Sequence, residues 1–427
     1  MKSMKKIGAS GFGATGKRGG FSGSENDSVP EVTPAKLVSI TVTPPTRTVY
    51  SVGEKFDPTG MVVTATYDDG EERTVEGTIT SETSALTESA GINKEVTVSY
   101  TEGDNKATAT FTVDVASYQF TETVQDMDSS YTGTASATST PVVKNPIYKK
   151  FGDWPQTIMG EGVTVGSGTL VRGGLTYHVG SDGNYYVKYN SEYYKVEPII
   201  WRVLTEGYNP TGKALLLAEN ILTCGIPYYS VYNVIRTIGE GEIFPNNYEH
   251  SQIRAFLNGL SYEYKESDSA EQIKKTEYEG IGFLQTAFTS EAQGLITQTT
   301  VDNSKESTFG RGEEQQDNLY ACGNTEDKIF LLSEQEATTE GYGFGVYNAY
   351  GQGNIRIRVT TDYAKATGAY QNGTAGYGSW WWLRSPDFID DDDARSIYFD
   401  GTAFDYNYVD DTDGGVVPAL SISISGN

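Results

Sequence analysis

Between residues 36 and 116 apolar and polar positions alternate almost one for one. The runs KLVSITVTP, MVVTATY, KEVTVSY and KATATFTVDV put every second side chain on one face, the two-residue period of a half-buried strand. DDGEE at 68–72 and TEGDNK at 101–106 supply turn chemistry between such runs. Short strands this closely spaced predict an all-β sandwich over 36–116. The alternation then stops, and the Ser/Thr-rich stretch SSYTGTASATSTPVV at 129–143 predicts a linker, taken as 117–144. Beyond it, YHVGSDGNYYVKYNSEYYKVEPIIWRVL at 177–204 reads as consecutive hairpins, with SDGN and YNSE as the turns. KALLLAEN follows as a buried strand. At 251–260 the period changes: Ile253, Phe256, Leu257 and Leu260 share one helical face, with Ser251 placed as N-cap. FTSEAQGLI at 288–296 and SEQEAT at 333–338 predict short helices, and Ser333 with Glu336 has capping-box spacing. No second linker interrupts 145–427, so the chain divides into a β-sandwich and a larger α+β unit.

Composition narrows the function classes. The 427 residues include 48 Gly and 30 Tyr and carry a net charge of −25. Phosphate backbones would be repelled, which argues against nucleic acid as partner. No apolar run approaches the ~20 residues of a transmembrane helix. Residues 1–35 read as a flexible leader; their first 33 are Gly/Ser-rich, basic at the start, and lack a signal peptide's apolar core or a lipidation cysteine.

Catalytic chemistry finds little support. GFGATGK at 11–17 has phosphate-loop spacing, but no strand feeds it and Arg18 stands where a hydroxyl should bind magnesium. Gly207 to Lys213 repeats the spacing, and there Asn-Pro-Thr-Gly between two strands is a hairpin turn. The two histidines, His178 and His250, have no neighbouring pattern that marks a base. Cys224 and Cys322 either pair or stay free, and nothing marks either as an activated thiolate. No cofactor is called for, and the chain is expected not to be an enzyme.

The C-terminal region holds the most informative stretch. Residues 387–413, DFIDDDDARSIYFDGTAFDYNYVDDTD, crowd ten aspartates and six aromatics together without one Glu, Lys or Gln. A calcium site would explain the aspartates, yet DDTDGG at 410–415 does not hold EF-hand spacing and no metal ligand is assigned. A solvated acidic loop explains the charge but not the aromatics. A third reading explains both. An asparagine codon altered only at its adenines has outcomes that include Asn, Asp, Tyr, Phe, Ser, Ile, Val, Ala, Gly, Thr and Arg, never Glu, Lys, Gln, Met or Trp, and every residue from Asp387 to Asp413 fits.

Two resemblances give these readings a context. LVSITVTPPTRTVYSVGEKFDPTGMVVTATYDDGEERTV followed by KEVTVSYTEG resembles bacterial immunoglobulin-like domains that repeat on surface proteins, which implies a spacer or adhesive stalk. Trp381 to Pro386 followed by Gly415 to Leu420, with FGDWPQT at 151–157, IIWRVL at 199–204 and the YEHSQIRAFLN helix, resembles bacterial domains with a C-type lectin fold of the formylglycine-generating-enzyme type. The best-known members are variable proteins of diversity-generating retroelements, whose ligand-binding residues are rewritten by adenine-directed mutagenesis. The resemblance implies a multidomain chain: an immunoglobulin-like sandwich, then an α+β C-type lectin fold domain over 145–427 with 387–413 as its variable segment. It further implies a cell-surface location and a protein or glycan ligand on another cell or surface, with a basic or polar patch. The enzymes' active-site cysteine motif is missing from this sequence, so no catalysis carries over. The expected anchors are Phe388, Tyr398, Phe399, Phe404, Tyr406 and Tyr408, which combine large contact area with few rotatable bonds. Asp390, Asp391, Asp392, Asp393, Asp405, Asp410 and Asp411 would favour a basic patch, with Ile389, Ser396 and Asn407 completing the expected contacts. The alternative is a carbohydrate-binding or adhesin module of fixed specificity, calcium-assisted or not.

Overall fold

The computed structural model describes residues 34–133, 146–239, 241–344, 356–373, 378–403 and 405–424. The leader up to residue 33, with its GFGATGK motif, and residues 134–144 of the expected linker lie outside them. The described residues are mostly β-strand, with few helices.

The alternating runs form two facing sheets. Leu37–Thr43, Val62–Tyr67 and Glu72–Val75 make one; Val49–Ser51, Asn105–Ala116, Gly91–Glu102 and Thr78–Ile79 make the other. Val96 and Val98, opposite Phe111, Val113 and Val115, enter a core shared with Ile40, Tyr50, Val63 and Ala65. The period-two pattern is thus the inward face of each strand.

The larger unit is built on a nine-stranded antiparallel sheet. Its hairpins fall where the sequence places them: Leu175–Val179, Tyr185–Tyr189 and the long Glu192–Tyr208, joined at SDGN and YNSE. Asn-Pro-Thr-Gly turns Glu192–Tyr208 into Lys213–Ala218, buried at every residue after Lys213. That strand pairs on its other side with Ala419–Ile422, the last of the described strands, which in turn pairs with Ile329–Phe330. Ser251 caps the helix Gln252–Asn258 through the Arg254 amide, and Ser333 and Glu336 close the expected capping box on Glu334–Ala337. These helices are short; even Gln252–Asn258 has only 7 residues. No described helix is long and apolar enough to cross a membrane.

Residues 117–133 differ from the linker expectation. Tyr118 donates to the Asp153 carboxylate at 2.6 Å, and the Thr121 amide and hydroxyl bond to the same buried group. Phe120 stacks on Tyr185 at 4.9 Å between centroids with the Arg172 guanidinium 3.9 Å over its ring. Gln125–Asp126 adds a short strand to Tyr148–Ile158. Isolated aromatics with no periodicity do this packing, which is why Ser/Thr composition misleads there.

The two units share a third core. Val49 and Ala116 from the sandwich pack with Tyr177, Val179, Tyr185, Val187 and Val196 from the large sheet. Beside it, the fully buried Asp114 accepts from the Asn93 amide on its own side and the Gly168 amide across the junction, both at 2.6 Å. A Cβ on Gly168 would lie 2.8 Å from that carboxylate and 2.9 Å from the Thr48 carbonyl, so the close approach requires glycine here.

Candidate binding surface

Residues 381–415 begin on a buried strand and end at a buried bridge between Gly415 and Trp381. Trp381–Pro386 is buried at every residue, and Trp381 Nε1 donates to the Arg356 carbonyl at 3.0 Å. The far end returns beside the start: the Gly415 amide donates to Trp380 O at 2.9 Å and the Trp382 amide to Gly415 O at 3.1 Å. The tryptophan run and residues 414–422, which include the strand Ala419–Ile422, are therefore core, as their apolar composition predicts. Cys224 reinforces this closure. Its thiol lies 2.8 Å from Gly414 O, and burial pushes its pKa up to about 12. Burial likewise pushes Cys322 up to about 11, and both cysteines are free, so neither is poised as a nucleophile.

Between these ends, Trp381–Pro386, Asp393–Ile397 and Asp405–Tyr408 form a three-stranded antiparallel sheet, with Asp393–Ile397 in the middle. Position in this sheet decides which expected contact residues face solvent. Tyr406 and Tyr408, on the edge strand, are 49% and 56% exposed, and Asp405 and Asn407 alternate with them half-buried. Ile389 is 63% exposed at the tip of the acidic loop, beside the exposed Asp390. Tyr398 is exposed at a turn and lies 4.0 Å from the ring of Phe399. Asp391, Asp392, Asp410 and Asp411 are half-buried. Phe388 is half-buried too, packed on Phe309 at 5.5 Å.

Two expected contact residues are corrected. Asp393 and Ser396 are buried, because the middle strand is paired along both edges. The Ser396 hydroxyl donates to Asp405 Oδ2 at 3.0 Å and accepts from Asn407 Nδ2 at 2.8 Å. Phe404 lies outside the described residues.

The acidic loop is held by its backbone. Asn246, fully buried, donates its side-chain amide to the carbonyls of Asp390 and Asp393, and its backbone amide to Asp391 O. The Ile389 amide donates to Asp387 Oδ1 at 2.7 Å. Beneath the loop, Arg395 is buried among three carboxylates: Asp387 at 3.2 Å, Glu334 at 3.3 Å and Glu313 at 3.5 Å. Burial drives Glu334 well above the usual carboxylate range against the pull of Arg395. Asn246, Glu313 and Glu334 have no sequence signal, and the buried ion group around Arg395 was missed; a lone arginine in an acidic run is the one cue that could have pointed to it. Among the described residues no group of three His, Cys, Asp or Glu side chains is placed to hold a metal ion.

The aspartates raise one another. Burial first, then the charges of Asp392, Asp387, Asp390 and Asp411, push Asp393 up to about 7, and Asp391, Asp405 and Asp411 shift the same way. A carboxylate raised above its unfolded value of about 3.9 lends stability that is complete at low pH and disappears as pH climbs through 7. Asp393→Asn should therefore match the parent near pH 4 and exceed its stability by about 2 kcal/mol at pH 8, as read from urea unfolding at both pH values. Equal stability at pH 8 would mean that the burial cost is met elsewhere.

Residues 211–424, half of the chain, match the family described as Domain of unknown function (DUF6273). The chain belongs to the DUF6273 family. Residues 43–115 match the Bacterial Ig-like domain (group 3), inside the sandwich predicted at 36–116. No curated protein matches the chain. The DUF6273 match starts at the turn before Lys213–Ala218 and takes in the whole candidate surface and the closing strand Ala419–Ile422. The sheet those two strands belong to is completed by strands upstream of the match, from Tyr148–Ile158 through Glu192–Tyr208.

Proposed function

We propose that this DUF6273 protein is a non-enzymatic binding protein that presents 387–413 as a diversified contact surface on a C-type lectin-type α+β domain. The Ig-like domain sets that surface off from the N-terminal side, on a cell exterior. One observation carries the reading: within a single acidic stretch the side chains divide by role. Ala394, Arg395, Ser396, Ile397 and Val409 are buried, whereas Ile389, Asp390, Tyr398, Tyr406 and Tyr408 face solvent. Ends fixed by Trp380, Gly415 and Cys224 let outward positions change without disturbing the core. Preformed surfaces of this kind lose little entropy on binding, and tyrosine with aspartate and asparagine gives anchors and adaptable hydrogen bonds.

The test is to sequence the encoding gene and its flanks in clonal isolates. Substitutions confined to adenines of a nearby template copy are expected at codons 389, 390, 398, 406 and 408, with codons 394–397 and 409 held constant. An invariant segment without a template would leave a binding module of fixed specificity, to be examined with glycans and calcium.

A further inference from the structure

The exposed aromatic face does not end at residues 387 and 413. Tyr232, 48% exposed on the loop that follows Tyr229, brings its ring within 6.1 Å of Tyr408. That loop is bound to the segment: the Tyr229 amide donates to Val409 O at 2.9 Å, and the Gly225 amide to Thr412 O at 2.9 Å. On the other side Tyr370, 38% exposed, stacks on Phe399 at 6.0 Å, and its amide donates to Asp413 O at 3.1 Å. Neither tyrosine is covered by the core, so both spend ring area on water. Asp410 and Asp411 flank the Tyr232–Tyr408 pair in sequence, and Asp400 and Asp405 are the carboxylates that act on Tyr398 beside Phe399. Lys365 pairs with Asp362, and Arg395, Arg356 and Arg358 are buried, so these cations do not neutralise the face.

We infer that Tyr232 and Tyr370 are fixed members of the contact surface and that its partner is a lysine- or arginine-bearing protein segment. Tyrosine faces attract ammonium and guanidinium groups, and carboxylates at the rim steer and hold them. Two constant aromatics bracketing a varied segment would keep a preference for cationic partners whatever the segment becomes. This inference rests on the binding reading above.

The experiment uses the full chain and a fluorescein-labelled peptide of alternating lysine and serine, followed by anisotropy at low and moderate salt. Saturable binding is expected, weakened at least tenfold in the Tyr232→Ala/Tyr370→Ala double variant with an unchanged unfolding midpoint, and weakened again by salt. An Asp68→Asn/Glu71→Gln control removes two charges from the Ig-like domain, where the tyrosine variant removes none, and should leave affinity unaltered. Equal weakening in that control would reduce the binding to bulk charge and overturn the inference. So would binding indifferent to Tyr232 and Tyr370. Capture of neutral glycans or proteins through Tyr406 and Tyr408, with no affinity for the peptide, would overturn the cationic partner yet leave the binding reading standing. Binding of neither kind of probe would remove both.

Discussion

Arg395→Ala is expected to destabilise the larger domain by about 3–5 kcal/mol, because it strips the cation from a buried group of three carboxylates. Asp387, Glu334 and Glu313 approach from three separate parts of the chain, and Glu334 already lies far above the usual carboxylate range through burial. Without the guanidinium, these groups must take up protons or draw water into the layer beneath Phe388. Part of the loss should therefore return at low pH, where protonation replaces the missing charge. Arg395→Lys restores a charge but not the planar fork that reaches several carboxylates, so it should recover only part of the stability. Thermal and urea unfolding at pH 5 and pH 8 check this; a variant as stable as the parent at pH 8 would contradict the buried-cation account. The opposite sign expected for Asp393→Asn gives an internal control, since both residues sit on the strand Asp393–Ile397.

The second large effect is at the junction of the domains. Asp114→Ala leaves the amides of Asn93 and Gly168 without their acceptor in a buried setting, at a cost of about 2–4 kcal/mol. The loss should appear as uncoupling rather than general unfolding. The parent is expected to melt in one calorimetric transition, because Val49 and Ala116 are packed with strands of the large sheet. The variant should show two transitions and become open to proteases between residues 116 and 148. A single transition with an unmoved midpoint would show that the apolar contacts couple the domains without the carboxylate.

Much of the fold was legible because periodic elements announce themselves locally. The four alternating runs became the strands of the sandwich, and Ser251 and Ser333 cap the helices their spacing predicts. Residues 117–133 were misread because Tyr118, Phe120 and Thr121 find partners more than thirty positions away, beyond the reach of any local pattern. Residues 387–413 stood out in the sequence as a candidate contact segment, from what their composition omits. Their division into inward and outward residues did not. Asp393 and Asp390 look alike in sequence, yet pairing between Asp393–Ile397 and its two neighbours buries the first and leaves the second in water. Tyr232 and Tyr370 escaped notice for the same reason, since nothing near them in sequence places them beside Tyr408 and Phe399.

The order of strands also has a kinetic side. Ala419–Ile422, the last described strand to be made, lies between Lys213–Ala218 and Ile329–Phe330, so the large sheet stays open until that strand has left the ribosome. Everything between residues 381 and 415 must settle before that gap is filled. A change that spoils the segment leaves two apolar strand edges uncovered and exposes the whole chain to proteases and aggregation. Faulty versions would then be removed before they reached their place of action, and each copy that survives has already passed a folding test on residues 381–415.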